Sequence, residues 1–256
     1  MRVLLTNDDG LSSPGLLALA RSMRSVADTF VVVPEHERSA ASHAITLHKP
    51  LRAFPVTLGD SGLPAWATNG TPADCVVLAV LDLLGTPPDV VVSGINVGAN
   101  LGMDLIYSGT VSGAVEAVLF GIPAIAISVA SFQEIHWEPA AAFSAHLAQE
   151  VKRHGLPRDT FLNVNVPNLP ADQIRGVEIT RQSSRRYVSR LEKRADPRGR
   201  DYYWLTGSPN GGESDPGTDA RAVAEGRISI TPLRLDMTYE ELKPMFRSWN
   251  LKVPAR

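Results

Sequence analysis

The chain has 256 residues, 44% of them hydrophobic, and a formal net charge of −2. That is enough apolar material for one large domain with a sizeable core, and it argues against a disordered chain. The near balance of 25 basic against 27 acidic residues supplies no general cationic field, so long nucleic acid is not expected as a partner.

One cysteine, Cys75, cannot form an intramolecular disulfide, and the first acids arrive at Asp8 and Asp9 before any apolar signal-peptide core. A cytoplasmic address is the expectation. No apolar run approaches the roughly 18 residues that span a bilayer, so no membrane role is expected.

From the start of the chain, short β-branched runs alternate with longer amphipathic ones. Residues 3–6, 30–33, 90–93, 124–128 and 161–166 read as buried strands. Helices are expected to open at Ser13-Pro14, Thr71-Pro72 and Gly109-Thr110, the first two pairing a hydroxyl cap with proline at the first helical position. A fourth should run from about Glu138 to His154. This alternation predicts an α/β fold with a mostly parallel sheet and helices on both faces. Beyond residue 166 the pattern breaks into short strand-like pieces at 177–181, 202–205 and 227–232, separated by Pro, Gly and charge. One domain is expected, with residues 1–170 as core and 171–256 as an extension of hairpins or arms. Its arginine-rich stretch 181–200 reads as a solvated or subunit-contacting arm.

The residues suited to chemistry sit after the expected strands, where open α/β sheets present ligand-binding groups. Asn7-Asp8-Asp9-Gly10 places two adjacent carboxylates there, and keeping both ionised near an apolar sheet calls for a cation or several donors. As plain structure it would be an acidic turn, with Gly10 supplying a positive φ. Ser39 and Ser42 follow the second strand as hydroxyl ligands or phosphate donors, and His43 could protonate a leaving oxygen. In the third loop, Ser93 to Asp104, glycines that include Gly94 let the backbone approach a bound group. Asn96 and Asn100 offer amide oxygens. Ser108-Gly109-Thr110 then opens a helix whose free N–H groups suit a phosphate. Neither the Walker Gly-Lys-Ser/Thr signature nor the Gly-x-Gly-x-x-Gly dinucleotide spacing occurs. Thr68 to Asp74 reads mainly as a helix entrance, and Cys75 as a small buried hydrophobe.

Taken in order, Asn7-Asp8-Asp9-Gly10, Arg38-Ser39, Asn69-Gly70-Thr71-Pro72, Ser93 to Gly98 and Ser108-Gly109-Thr110 resemble the SurE (survival protein E) family over about the first 130 residues. The resemblance implies a Rossmann-like fold and a divalent-metal-dependent 5′-nucleotidase, active in some members on 3′-nucleotides and short polyphosphate. It carries the family's metal ligands to Asp8, Asp9, Ser39 and Asn96. It implies association into dimers or tetramers through C-terminal elements. Phosphate or substrate contact is expected at Asn7, Gly94, Asn96, Ser108, Gly109 and Thr110. Such an all-oxygen set favours Mn²⁺ or Mg²⁺, with Ca²⁺ also accommodated, over zinc. Asp8 is the better candidate to orient or deprotonate water, with Asp9 chiefly a ligand. Two other functions fit the same cradle: a non-catalytic nucleotide-binding regulator, and a metal-dependent nucleotide-sugar transferase.

Overall fold

The computed structural model describes residues 1–211 and 215–253. In chain order the first half runs β1 (Arg2–Thr6), α1 (Pro14–Arg24), β2 (Asp28–Pro34), β3 (Ala53–Val56), β4 (Ala65–Thr68), α2 (Pro72–Leu78), β5 (Val90–Val97) and α3 (Gly109–Leu119). Then follow β6 (Ala124–Val129), α4 (Trp137–His154), β7 (Thr160–Val166), β8 (Val177–Ile179), β9 (Arg186–Ala195), β10 (Asp201–Asn210), α5 (Asp219–Ala224), β11 (Ile228–Arg234) and α6 (Lys243–Arg247).

α1, α2, α3 and α5 start where hydroxyl caps stand, whereas α4 and α6 have no side-chain cap. Ser13 Oγ accepts from Leu16 N–H at the head of α1. At α2, Thr71 and Asp74 form a reciprocal capping box with Pro72 in the first turn. Both devices satisfy N–H groups that a helix start leaves unpaired.

Nine strands form one sheet in the order β3-β4-β2-β1-β5-β6-β7-β11-β8. From β4 to β7 every neighbouring pair is parallel; β3 and β11 run antiparallel to their inner neighbours. The central strands are buried on both faces, and their side chains divide by the two-residue period. Val3, Leu5, Val31, Val33, Val90, Val92, Ile125 and Ile127 pack against α1 and α4. Leu4, Val32, Val91, Ala124 and Ala126 face the other way, toward α2 and α3. Cys75 is fully buried in that second cluster, where burial pushes its thiol far above the ordinary range.

Two features depart from the sequence reading. β3 and β4 form an antiparallel edge that the apolar periodicity did not mark. The short pieces at 177–179 and 228–234 do not stand out as hairpins: β11 pairs with β7, and β8 pairs with β11, so both lengthen the central sheet. The segment between them does leave the body, as the two-stranded β9–β10 ribbon, paired from Arg186↔Asn210 to Ala195↔Asp201. Among the described residues no helix is long and apolar enough to cross a membrane.

Candidate functional site

β1 lies between β2 and β5, so chain direction across the sheet reverses there: one crossover goes left, the next right. A crevice opens outside the carboxyl ends of strands at such a switch point. The loops after β1, β2 and β5 and the start of α3 all meet there. Asp8, Ser39, Asn96 and Ser108 line one concavity of about 240 Å³, together with Asn100, Asp104, Tyr107 and Phe132.

Asp8 is the more enclosed of the two adjacent aspartates, at 4% exposure. The Thr110 hydroxyl donates to Asp8 Oδ1, and the Thr110 backbone N–H also favours its ionised form. Burial nevertheless outweighs these bonds and raises its pKa. Asp9 accepts from Val97 N–H at 3.2 Å. Its carboxyl is pushed up to about 6, first by burial and then by the adjacent Asp8 charge. Glu37 adds a third negative charge that disfavours ionisation of both aspartates.

The loop after β2 is tied down at several points. Arg38 N–H donates to Asp8 O (2.7 Å), Ser42 N–H to Tyr107 O (3.1 Å), and Ser112 Oγ to Ser42 O (2.9 Å). These bonds hold Ala40 and Ser42 at positive φ, 55° and 52°, a conformation that costs free energy for residues with a Cβ. Ser39 is thereby placed in the same concavity as Asp8, whose lining does not include Asp9, with its hydroxyl donating to Glu37 Oε1 (2.6 Å). Asn96 donates through Nδ2 to Val97 O and Gly98 O, at 3.1 and 2.7 Å, which leaves Oδ1 as the atom that could hold a cation.

Other expected residues take different roles. Gly94 does not line the concavity. It sits inside β5 at φ +139°, where a Cβ would lie 2.3 Å from Ile127 O, so its glycine serves sheet packing. Asn7 is fully buried and staples its own turn, Nδ2 donating to Gly10 O at 3.0 Å. Thr110 directs its hydroxyl to Asp8. Gly109 packs directly on Asp8, where a Cβ would stand 2.7 Å from Asp8 Cβ. His43 Nε2 lies 2.7 Å from Glu116 Oε2 and is not in the lining. Sequence reasoning missed Glu37 and Phe132. Glu37 had a signal, since it belongs to the same polar loop as Ser39; Phe132 had none.

Among the described residues no three His, Cys, Asp or Glu side chains form a metal cluster. The expected donor set holds only two carboxylates beside a hydroxyl and an amide, so it would not form such a cluster. Electrostatics supplies the test of fit. Among the described residues no Lys, Arg or His lines the concavity, while Asp8 and Asp9 resist ionisation. An oxygen-preferring divalent cation meets each of these conditions.

The family described as Survival protein SurE matches residues 3–189. A relative from Geobacter sulfurreducens named 5′-nucleotidase SurE is 51% identical over 252 residues, covering 98% of this chain and 94% of its own length. One of the same name from Heliobacterium modesticaldum is 48% identical over 249 residues, with 97% and 92% covered. Among solved structures, the SurE protein from Aquifex aeolicus superposes with a TM-score of 0.84 at 40% identity, over 96% of this chain and 98% of that one.

Proposed function

This chain belongs to the SurE family, and on that footing we propose that it hydrolyses nucleoside 5′-monophosphates to nucleoside and phosphate with a divalent cation. The observation that carries the reading is the charge of the concavity: an anionic substrate must enter a site lined by Asp8 and Asp104 with no basic side chain among the described lining residues, Arg185 pairing with Asp104 at 3.9 Å from outside that lining. A cation held by Asp8, Asp9, Ser39 and Asn96 resolves that repulsion. When bound, it supplies charge neutralisation and an acidified water for in-line attack on phosphorus.

The protein's own groups do the rest. Thr110 fixes Asp8, and Val97 N–H fixes Asp9, so neither carboxylate has to reorganise. Asp8 orients the attacking water. The head of α3 presents the Gly109 N–H and the positive end of an 11-residue helix to the phosphoryl oxygens, the Ser108 N–H being taken by Leu105 O. Asp8 does not serve as nucleophile: Oδ1 accepts from Thr110, and the remaining oxygen would be committed to the cation and its water. Mn²⁺ or Mg²⁺ suits this donor set best, and the cytoplasm is the proposed compartment. Reaction on 3′-nucleotides and short polyphosphate is proposed as secondary.

Phosphate released from a panel of nucleoside monophosphates should disappear on chelation and return with Mn²⁺ or Mg²⁺. Full activity in chelator-treated, metal-free protein would defeat the metal assignment. Binding without turnover would point to a regulator, and release of nucleoside diphosphate only with an acceptor to a transferase.

We also propose a homodimer or homotetramer held in part by the β9–β10 ribbon. Leu191, Tyr203, Trp204 and Leu205 are all exposed on it, too much apolar surface for a two-stranded ribbon to leave in water. Arg190 and Thr206 face each other across the ribbon, so residues 191–205 can be replaced by Asn-Gly, a two-residue hairpin turn. The shortened protein should keep its fold by circular dichroism and show a lower mass in light scattering. An unchanged mass would remove the ribbon from the interface.

A further inference from the structure

The concavity is smaller than the roughly 300–1,000 Å³ that enclose most of a drug-sized ligand. A nucleotide whose phosphate reaches Asp8 and Ser108 must therefore leave part of itself on the rim. The rim carries two aromatic rings: Phe132 is 80% exposed and Tyr107 is 64% exposed, yet both line the same concavity as Asp8, Ser39 and Asn96. Large exposed aromatics beside a catalytic crevice are costly to leave in water unless something flat covers them.

Both residues are held in place. Ser131 Oγ bonds to Gln133 N–H and O on either side of Phe132, at 3.1 and 2.7 Å, and Gly98 N–H donates to Ser131 O at 3.0 Å. The Phe132 ring lies directly on Gly98, where a Cβ would stand 2.5 Å from Cε1. Gly98 is two residues from Asn96, so the ring is fixed relative to the candidate metal ligands. Tyr107 immediately precedes the Ser108 cap of α3, and its carbonyl accepts from Ser42 N–H on the loop that carries Ser39.

We propose that Phe132, with Tyr107, is the platform on which the nucleobase stacks, and that it makes this site select nucleotides over phosphomonoesters that lack a base. This rests on the phosphatase reading above and adds its specificity determinant. Stacking uses the π-face common to all bases, so the platform favours nucleotides as a class without choosing one base.

The test compares AMP with ribose 5-phosphate, which carries the same sugar phosphate without the base. In the full-length metal-loaded enzyme, Phe132→Ala should lower the ratio of kcat/KM for AMP to that for ribose 5-phosphate by about tenfold, the scale of one base–aromatic stack. Phe132→Leu should lower it similarly, and Phe132→Trp should preserve it. An unchanged ratio in Phe132→Ala, or a Leu variant that matches wild type, would overturn the stacking platform while leaving the phosphatase intact. Wild-type protein inactive on both compounds would remove the phosphatase reading and the platform with it.

Discussion

Asp9→Asn should reduce phosphate release roughly a thousandfold and at the same time make the metal-free protein more stable. The two effects have one cause. Asn is nearly isosteric, and its amide oxygen can still accept from Val97 N–H, so the local bond survives. What disappears is a carboxylate that the fold disfavours. Its pKa stands at about 6 against an ordinary 3.8, with burial the larger cause and Asp8 the second. A shift of that size corresponds to about 3 kcal/mol, and partial exposure of Asp9 trims it to about 1–2 kcal/mol.

The sign follows from proton binding. A carboxyl whose folded pKa is raised stabilises the fold when protonated and loses that contribution as pH rises. Metal-free wild type should therefore lose stability relative to Asp9→Asn between pH 4 and pH 6, and the gap should stay constant above. At neutral pH, excess Mn²⁺ should restore wild type, by about 2.7 kcal/mol at a concentration one hundred times its Kd. It should raise the Asn variant little. Thermal unfolding against pH, with and without metal, reads all of this without any activity assay. An Asn variant no more stable than wild type in chelator would show that Asp9 is not an electrostatic liability awaiting a cation.

Much of this site is legible in the sequence because the chemistry lies at strand ends that local patterning marks. Val3 to Thr6 is a short β-branched run, and the polar residues after it must stand at its carboxyl end. The hydroxyl-proline pairs at Ser13-Pro14 and Thr71-Pro72 mark helix starts through the same hydrogen bonds seen in the structure. Other features are decided by distant partners. β3 contains Pro55, which local rules set against a strand, yet an edge strand has one side free of ladder bonds and tolerates it. The strand-like piece read at 177–181 is a strand over Val177–Ile179, but its place in the central sheet is set by β11 lying beside it and not by anything local. Thr110 is marked locally as a helix-start residue facing a phosphate. Its attachment to Asp8, 102 positions away in the chain, depends on α3 crossing the end of β1. Phe132 follows β6 with nothing beside it in sequence to indicate a site; only the crevice gives it a meaning.

Gly109→Ala should abolish most activity while leaving the fold intact, which inverts the usual expectation for this substitution. Gly109 opens α3 without a positive φ, so its backbone accepts any residue. By helix propensity alone, alanine should stabilise the helix by up to about 1 kcal/mol. The obstacle is the space above it: the new Cβ would lie 2.7 Å from Asp8 Cβ and 2.8 Å from Asp8 Oδ2. Something has to move, and Asp8 is the mobile partner, because Gly109 is anchored by the Ser108 cap and the first turn of α3. Displacing a positioned catalytic group by about 1 Å costs on the order of a hundredfold in rate. Here the same movement would loosen a proposed metal ligand and crowd the Gly109 N–H proposed to receive phosphate. We therefore expect kcat to fall at least a hundredfold with saturating Mn²⁺, metal affinity to weaken in calorimetry, and the melting temperature to change by only a few degrees. Gly113→Ala, one turn further along α3, provides the contrast. Its Cβ would meet Ser93 Oγ at 2.7 Å and Thr6 Cγ2 at 2.9 Å, inside the helix–sheet contact, so the loss there should appear in stability. A Gly109→Ala enzyme with wild-type turnover would mean that Asp8 and the head of α3 do not meet at the reacting phosphate.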